Sequence, residues 1–305
     1  MKRPFGDLMF WSATIRQMSK NLGGKILITG AHGQLGRALA NACTARGIDF
    51  EGRDIDSLDI SDAAAVTEWI KTSKPNAVIN CAALTAVDDC ESDEQSALRI
   101  NGSAVGFIAK ACNTVDARLV QVSTDYVFAG NGHRPYREND PLAPVSAYGR
   151  TKLRGEEMAA QSRHHLVVRT AWLYGHGGRN FVEAIRKQID SGAESLKVVT
   201  DQRGSPTFCG DLADAVLDLM NANIEGVIHA ANTGETSWHG FAVAIARLLD
   251  ENVEVLPVST DEFPRPAPRP AYSVLDTSRL AKVLGHSMPP WEDALARYLG
   301  ASCAF

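Results

Sequence analysis

A glycine-rich turn between a short apolar run and a helical segment restricts the possible folds of this chain more than any other stretch. The run Lys25–Thr29 reads Lys-Ile-Leu-Ile-Thr and predicts a strand buried on both faces. Gly30, Gly33 and Gly36 follow it directly, at the start of a predicted helix that extends to about Thr44. Glycines with this spacing permit a tight turn and bring the backbone close to a diphosphate at the helix N-terminus. This context predicts a dinucleotide-binding unit, with an ordinary turn as the alternative.

The rest of the chain alternates short apolar runs with segments in which apolar residues have helical spacing. Strand-like runs lie at 48–52, 77–80, 119–122, 166–169, 197–200 and 227–230, and helical spacing occurs at 63–71, 94–112 and 151–161. This alternation predicts an α/β fold built on a Rossmann-like, doubly wound parallel sheet.

Composition and charge exclude several classes of protein. The 305 residues are 45% hydrophobic and 22% charged, and no apolar run approaches the roughly 18 residues of a membrane span. The net charge of −5 provides no basic face for nucleic acid or an anionic membrane. The six cysteines include no Cys-x-x-Cys pair, and the eight histidines include no cluster with metal-ligand spacing. We therefore expect reduced thiols, a cytoplasmic protein and no metal site.

Residues 1–23 precede the first predicted strand and differ from the rest of the chain. Their longest apolar run, Leu8–Trp11, is too short for the core of a signal peptide. We expect a disordered N-terminal extension or an early start codon, with a transit peptide as the alternative.

The pair Tyr148 and Lys152 is the strongest indication of chemistry. Residues four apart share one face of a helix, so the phenol and the ammonium can meet over one ligand. An ammonium nearby stabilises the phenolate and is expected to lower the pKa of Tyr148 toward neutrality. The sequence therefore predicts that Tyr148 is a general acid for a carbonyl oxygen.

Ser123, Thr124 and Asp125 end the strand-like run 119–122, where ligands of parallel sheets bind. Alternation along a strand lets only one of the two hydroxyls face the reacting oxygen, and a turn that caps the strand is the alternative.

Arg53 follows the second predicted strand, about twenty residues after the turn, where a dinucleotide fold reads the adenosine ribose. A guanidinium there suits a 2′-phosphate, but the adjacent Asp54 would suit a free hydroxyl, and two solvated loop charges are the alternative.

The run Phe263–Pro270 predicts either a polyproline spacer or an ordered loop over a ligand, and its Arg265 and Arg269 suit phosphate.

Taken together, the motifs resemble those of the extended short-chain dehydrogenase/reductases and, within them, the dTDP-4-dehydrorhamnose reductase family. The resemblance extends from about residue 25 to 298. It rests on Gly33–Gly36, Leu58–Ile60, Asn80–Asp88, Ser123–Phe128, Tyr148–Lys152, Arg169–Trp172, Asp201–Thr207, Thr236–His239 and Arg269–Thr277. It implies an NAD(P)-binding Rossmann domain over 24–170 and a smaller C-terminal α/β substrate domain over 171–305, with some segments that return to the first domain.

The resemblance also implies a reaction and a set of site residues. Hydride would pass from the nicotinamide to C4 of dTDP-4-dehydro-L-rhamnose, and the oxygen would take a proton from Tyr148. Lys152 would hold the nicotinamide ribose, Thr124 would bind the C4 oxygen, and Asp125 and Trp172 would contact the sugar nucleotide. The expected cofactor contacts are Gly30, Gly33, Gln34, Leu35, Gly36, Arg53, Asp59, Ile60, Ala83, Leu84, Thr85, Val122, Tyr148 and Lys152. For Trp172, packing in the core is the alternative.

Departures from the family pattern carry their own expectations. Leu84 replaces a frequent histidine, and Arg53 replaces a frequent acid, which favours NADPH while NADH is also accepted. Some relatives dimerise through magnesium held by three glutamates, but the matching positions read Ala38, Gly210 and Glu292. We therefore expect a monomer or a magnesium-independent dimer.

Two other functions remain open from the sequence. One is reduction of another nucleotide sugar at C4, because the Tyr–Lys chemistry would be the same. The other is a non-catalytic, NADP-binding regulatory subunit similar to the β subunit of methionine adenosyltransferase.

Overall fold

The structure is a computed structural model that describes residues 24–249 and 252–300. The expectation about residues 1–23 falls outside the described residues. The strands are β1 (Ile26–Thr29), β2 (Phe50–Arg53), β3 (Ala77–Asn80), β4 (Arg118–Thr124), β5 (His165–Thr170), β6 (Leu173–Tyr174), β7 (Ser195–Val199), β8 (Arg203–Gly204), β9 (Thr207–Phe208), β10 (Gly226–His229), β11 (Thr236–Ser237) and β12 (Glu254–Val258).

The helices follow the strands in the expected alternation. They are α1 (Gln34–Arg46), α2 (Ala63–Ser73), α3 (Val87–Ser92), α4 (Glu94–Leu98), α5 (Ala104–Val115), α6 (Ala147–Ala159), α7 (Phe181–Asp190), α8 (Cys209–Asn221), α9 (Trp238–Leu248), α10 (Ser278–Leu284) and α11 (Trp291–Leu299). The helix expected at 94–112 is interrupted, because a π-helical turn at Arg99–Ser103 separates α4 from α5. None of the helices in the described ranges is long and apolar enough to cross a membrane.

A six-stranded parallel sheet in the order β2-β1-β3-β4-β5-β10 forms the centre of the fold. Apolar side chains cover both of its faces, which explains why β1 and β3 read as continuous apolar runs. Ile26 and Ile28 pack on one side with α1, α8 and α10, while Leu27 packs on the other with α2 and α5. The predicted doubly wound α/β fold is confirmed.

A second hydrophobic core lies outside this sheet and is built by the C-terminal half. It joins α7, α9 and α11 with β7 and β12, which form a separate parallel pair. The run at 197–200 therefore belongs to this second core and not to the main sheet. In contrast, β10 leaves the C-terminal half and completes the main sheet beside β5.

The proline-rich run 263–270 is an ordered loop held against α3. Asp88 accepts hydrogen bonds from both terminal nitrogens of Arg269, each at 3.0 Å, and from the backbone N–H of Ala267 at 3.1 Å. Arg265 lies 3.4 Å from the same carboxylate. The two arginines are thus engaged by a protein carboxylate, and the spacer interpretation of this run is wrong.

Candidate active site

The candidate site is a cavity of about 560 Å³ at the carboxyl ends of β1, β3, β4 and β5. The strand order reverses at β1, because β2 lies on one side of it and β3 lies on the other. Ligands of doubly wound sheets bind at the carboxyl ends of the strands beside such a reversal. Of the sequence-predicted residues, thirteen line the cavity: Gly30, Gly33, Gln34, Leu35, Gly36, Ala83, Thr85, Val122, Thr124, Asp125, Tyr148, Lys152 and Trp172. Arg53, Asp59, Ile60 and Leu84 are not among the residues that line it.

The glycine turn packs so closely against neighbouring backbone that Gly30 and Gly36 cannot carry side chains. A Cβ on Gly36 would lie 2.2 Å from the carbonyl oxygen of Gly30, and one on Gly30 would lie 2.7 Å from the backbone nitrogen of Ala82. Gly30 also has a φ of +63°, which favours glycine. Helix α1 begins at Gly33 without a side-chain cap or an acidic residue in its first turn. Its N-terminal N–H groups therefore suit the diphosphate of a dinucleotide.

Arg53 lies at the end of β2, beside the glycine turn, where its carbonyl accepts from the N–H of Ala31 at 3.1 Å. Its guanidinium packs 5.0 Å from the ring centroid of Trp69, and its Nε donates to Glu51 at 3.1 Å. The neighbouring carboxylate of Asp54 accepts from the N–H of His32 at 2.7 Å. Asp54 thus supports the turn, whereas the role of Arg53 toward a 2′-phosphate stays a prediction.

Asp59 and Ile60 lie beyond β2, at the approach to α2. Ile60 is buried in the core that covers one face of the sheet. Asp59 is exposed and accepts from the N–H of Ser61 at 2.8 Å. Their predicted contact with adenine stays a prediction.

The loop after β3 is fixed through Leu84. Its N–H donates to the amide oxygen of Asn101 at 2.8 Å, and its carbonyl accepts from the same amide at 3.0 Å. The Leu84 side chain packs beside Tyr148, while Ala83 and Thr85 line the cavity on either side. Asn101 therefore positions the cavity-lining residues without being part of the lining.

Ser123 and Thr124 have different partners, as strand alternation predicted. The Ser123 hydroxyl donates to Glu156 at 2.5 Å, and Arg169 donates two further hydrogen bonds to that carboxylate at 2.9 and 2.7 Å. The Thr124 hydroxyl donates instead to Asp125 at 2.9 Å and contacts the phenol of Tyr148. Thr124 is thus the hydroxyl available to a reacting oxygen.

Tyr148 and Lys152 extend from α6 toward the end of β4. The Lys152 ammonium donates to the carbonyl of Val122 at 2.7 Å, and burial lowers its pKa to about 8. Burial also raises the pKa of Tyr148 above its ordinary value, although the contact with Thr124 opposes this. The expectation that Lys152 lowers the pKa of Tyr148 is therefore wrong in this structure, because desolvation of the phenol is the larger effect. A phenol that stays protonated at neutral pH is a proton donor.

Trp172 follows β5 in an unusual backbone conformation. Its φ is +46°, which costs a bulky residue on the order of 1–3 kcal/mol. Its indole stacks on that of Trp238, with 3.5 Å between ring centroids and 3° between planes. Both residues line the cavity, and Trp172 also packs against the hydrophobic cluster that contains Phe128 and Leu275.

Sequence reasoning assigned no role to several residues that line the cavity, among them Trp238 and Arg179. Trp238 was visible as part of the motif 236–239, directly after a serine that caps a helix. Arg179 lies in the loop after β6, where its carbonyl accepts from Gln34 at 3.1 Å. Nothing in its local sequence indicates that this loop returns to the glycine turn.

Within residues 24–249 and 252–300, no group of three or more His, Cys, Asp or Glu side chains is placed to hold a metal ion. Of the three positions that match the magnesium ligands of relatives, Ala38 lies on α1, Gly210 on α8 and Glu292 on α11. Cys43, Cys81, Cys90, Cys112 and Cys209 are free thiols, and Cys303 falls outside the described residues.

The fold and the site have the features of the short-chain dehydrogenase/reductases. These features are a doubly wound sheet, a glycine turn after β1 and a Tyr-x-x-x-Lys pair beside β4. Comparison with known proteins narrows this class. Residues 24–303 match the family described as the RmlD substrate binding domain, and the chain belongs to that family.

Relatives in this family carry specific names. A dTDP-4-dehydrorhamnose reductase from Streptomyces griseus is 42% identical over 91% of this chain and 93% of its own. A probable dTDP-4,6-dihydroxy-2-methyloxan-3-one 4-ketoreductase from Streptomyces antibioticus is 42% identical over 88% of this chain and 92% of its own. The solved dTDP-4-dehydrorhamnose reductase from Bacillus anthracis, in complex with NADP, is 37% identical with a TM-score of 0.87, over 90% of this chain and 98% of its own.

Proposed function

We propose that this protein reduces the C4 ketone of dTDP-4-dehydro-L-rhamnose to the alcohol of dTDP-L-rhamnose, with NADPH as the hydride source. The observation that carries this proposal is the convergence of Thr124, Tyr148 and Lys152 on one cavity beside an open glycine turn. The names of the relatives, which include a dTDP-4-dehydrorhamnose reductase, support the choice of sugar.

The residues present fit a dinucleotide. Gly30, Gly33 and Gly36 line the cavity without side chains, so a diphosphate can approach the backbone there, and the first turn of α1 offers uncapped N–H groups. Ala83, Thr85 and Val122 would border the nicotinamide half. When bound, the cofactor supplies a hydride for the carbonyl carbon.

The protein groups address the oxygen of that carbonyl. Tyr148, which is protonated at neutral pH, donates the proton that converts the developing alkoxide to an alcohol. The Thr124 hydroxyl orients the same oxygen, and the Lys152 ammonium holds the ribose beside it. Asp125, which follows β4, and Trp172, which follows β5, would contact the sugar nucleotide.

NADPH is the proposed cofactor because Arg53 lies where a 2′-phosphate is read, and NADH is expected to be accepted as well. A cytoplasmic location and a monomer or magnesium-independent dimer belong to the same proposal.

The test is NADPH oxidation with a panel of 4-keto nucleotide sugars that differ in sugar and in base, with the product identified by NMR. Turnover highest with dTDP-4-dehydro-L-rhamnose supports the proposal. Turnover highest with another sugar would identify a different 4-ketoreductase, a result for which the Streptomyces antibioticus relative offers a precedent. NADPH binding without any turnover, together with capture of methionine adenosyltransferase, would indicate a regulatory subunit.

A further inference from the structure

The backbone of Trp172 needs support from its surroundings. Among the described residues, four that are not glycine have a positive φ, and Trp172 is the one among them that lines the cavity. A bulky L-residue adopts this conformation only where neighbouring contacts hold it. Trp172 packs on one side against a cluster that contains Val127 and Phe128, and its other contacts come from the C-terminal half of the chain.

Three contacts from the C-terminal half hold Trp172. Its ring lies flat on Trp238, with centroids 3.5 Å apart. Its carbonyl accepts from the N–H of Thr207 at 3.1 Å. Gly204 leaves space for the ring, because a Cβ at that position would lie 2.3 Å from Cε2 of the indole.

Trp238 is itself fixed by the second hydrophobic core. It is the first residue of α9, whose N-cap Ser237 accepts from the N–H of Gly240 at 3.0 Å. Its ring packs 4.6 Å from Phe181 and 6.5 Å from Phe241, both measured between centroids. The stacked face of Trp172 therefore rests on a core that lies outside the main sheet.

The two indoles are on the substrate side of the cavity. Trp172 follows β5, whereas the glycine turn follows β1, and β3 and β4 lie between these strands. A change confined to the indole pair should thus leave the cofactor side unaffected.

We infer that Trp238 is a positioning residue that holds the Trp172 ring as the wall against which the nucleotide sugar binds. The second core thereby sets affinity for the substrate, while the main sheet holds the cofactor and the proton donor. The identity of the substrate rests on the proposed function, but the stacking of the two rings does not.

The test compares Trp238→Leu with Trp238→Phe and with Trp291→Leu as a matched control. Trp291 belongs to the same core and contacts Phe241, but it is not among the residues that line the cavity. Trp238→Leu should raise the KM for the nucleotide sugar about tenfold, the size expected for loss of one aromatic contact. The kcat and the Kd for NADPH should change less than about threefold.

Trp238→Phe, which keeps a ring under Trp172, should restore most of the affinity. If the leucine variant does not fold, the circular dichroism measurement below decides. An unchanged KM in Trp238→Leu, or an equal rise in Trp291→Leu, would overturn the inference. A fall in kcat without a change in KM would also overturn it.

A second measurement needs no substrate. The near-ultraviolet circular dichroism of stacked indoles comes from both rings, so Trp172→Phe, Trp238→Phe and the double variant should remove the same band. Additive losses would show that the rings are not stacked in solution and would refute the inference. Failure of the native protein to reduce any 4-keto sugar would instead refute the proposed function and leave this result standing.

Discussion

Replacing Asp125 by asparagine should stabilise the protein at neutral pH. The carboxyl is 2% exposed, and burial raises its pKa to about 6. Its Oδ1 accepts from Thr124, but its Oδ2 has no hydrogen-bond partner within the described part of the chain. The native state therefore holds the proton more tightly than the unfolded chain, whose carboxyl ionises near 3.8. As pH rises through this window, the unfolded state ionises first and the free energy of unfolding falls.

The size of the effect follows from the two pKa values. A difference of about 2 units at about 1.4 kcal/mol per unit gives about 3 kcal/mol of stability lost between pH 4 and pH 6. Asparagine has the same shape and no charge, so Asp125→Asn should avoid this loss. We expect a Tm about 5 °C above the native protein at pH 8 and a small difference at pH 4.

Thermal unfolding of both proteins from pH 4 to pH 8, followed by circular dichroism, measures this difference. Asp140→Asn is the control of opposite sign, because Arg134 holds the pKa of Asp140 at about 2. The ionised Asp140 carboxylate stabilises the folded state above the pKa of the unfolded chain, and this contribution is lost on acidification. Asp140→Asn should therefore lower the free energy of unfolding at neutral pH. A difference in Tm between Asp125→Asn and the native protein that is no larger at pH 8 than at pH 4 would refute the argument. The same variant should bind the nucleotide sugar less well, since Asp125 faces the substrate side.

Three further predictions concern the reaction and the assembly. Tyr148→Phe removes the proton donor and should reduce turnover about a hundredfold or more, with little change in the Kd for NADPH; substantial remaining turnover would assign the proton to another group. Arg53→Asp should raise the KM for NADPH and spare NADH, whereas equal effects on both cofactors would exclude a role at the 2′-phosphate. EDTA should change neither activity nor the mass measured by sedimentation, because Glu292 alone supplies too few ligands for magnesium; a dimer that dissociates on chelation would contradict this.

The sequence predicts best those parts of the site that local patterns determine. The apolar run before Gly30 marks β1, because a strand covered on both faces has no polar alternation. The spacing of Tyr148 and Lys152 places both on one face of α6, and alternation allows only one of Ser123 and Thr124 to face the cavity. These relations involve neighbours in the chain.

Other parts depend on contacts that only the folded chain creates. Trp238 and Arg179 reach the cavity from distant segments, and only Trp238 belongs to a motif visible in the sequence. The pKa of Tyr148 is raised by burial and opposed by the contact with Thr124, and the spacing of Tyr148 and Lys152 in the sequence does not reveal either effect. Arg265 and Arg269 had the chemistry of phosphate ligands, but a distant carboxylate, Asp88, engages both.

The late arrival of β10 in the main sheet has a consequence for synthesis. Its residues pair with the outer edge of β5, from which they are separated by β6, α7, β7, β8, β9 and α8. Until the ribosome has released these elements, β5 presents an unpaired row of N–H and C=O groups. Such an edge recruits strands from other chains, and non-local pairing of this kind folds slowly. A polypeptide truncated between α7 and β10 should therefore aggregate, and chaperone demand should peak while that stretch emerges.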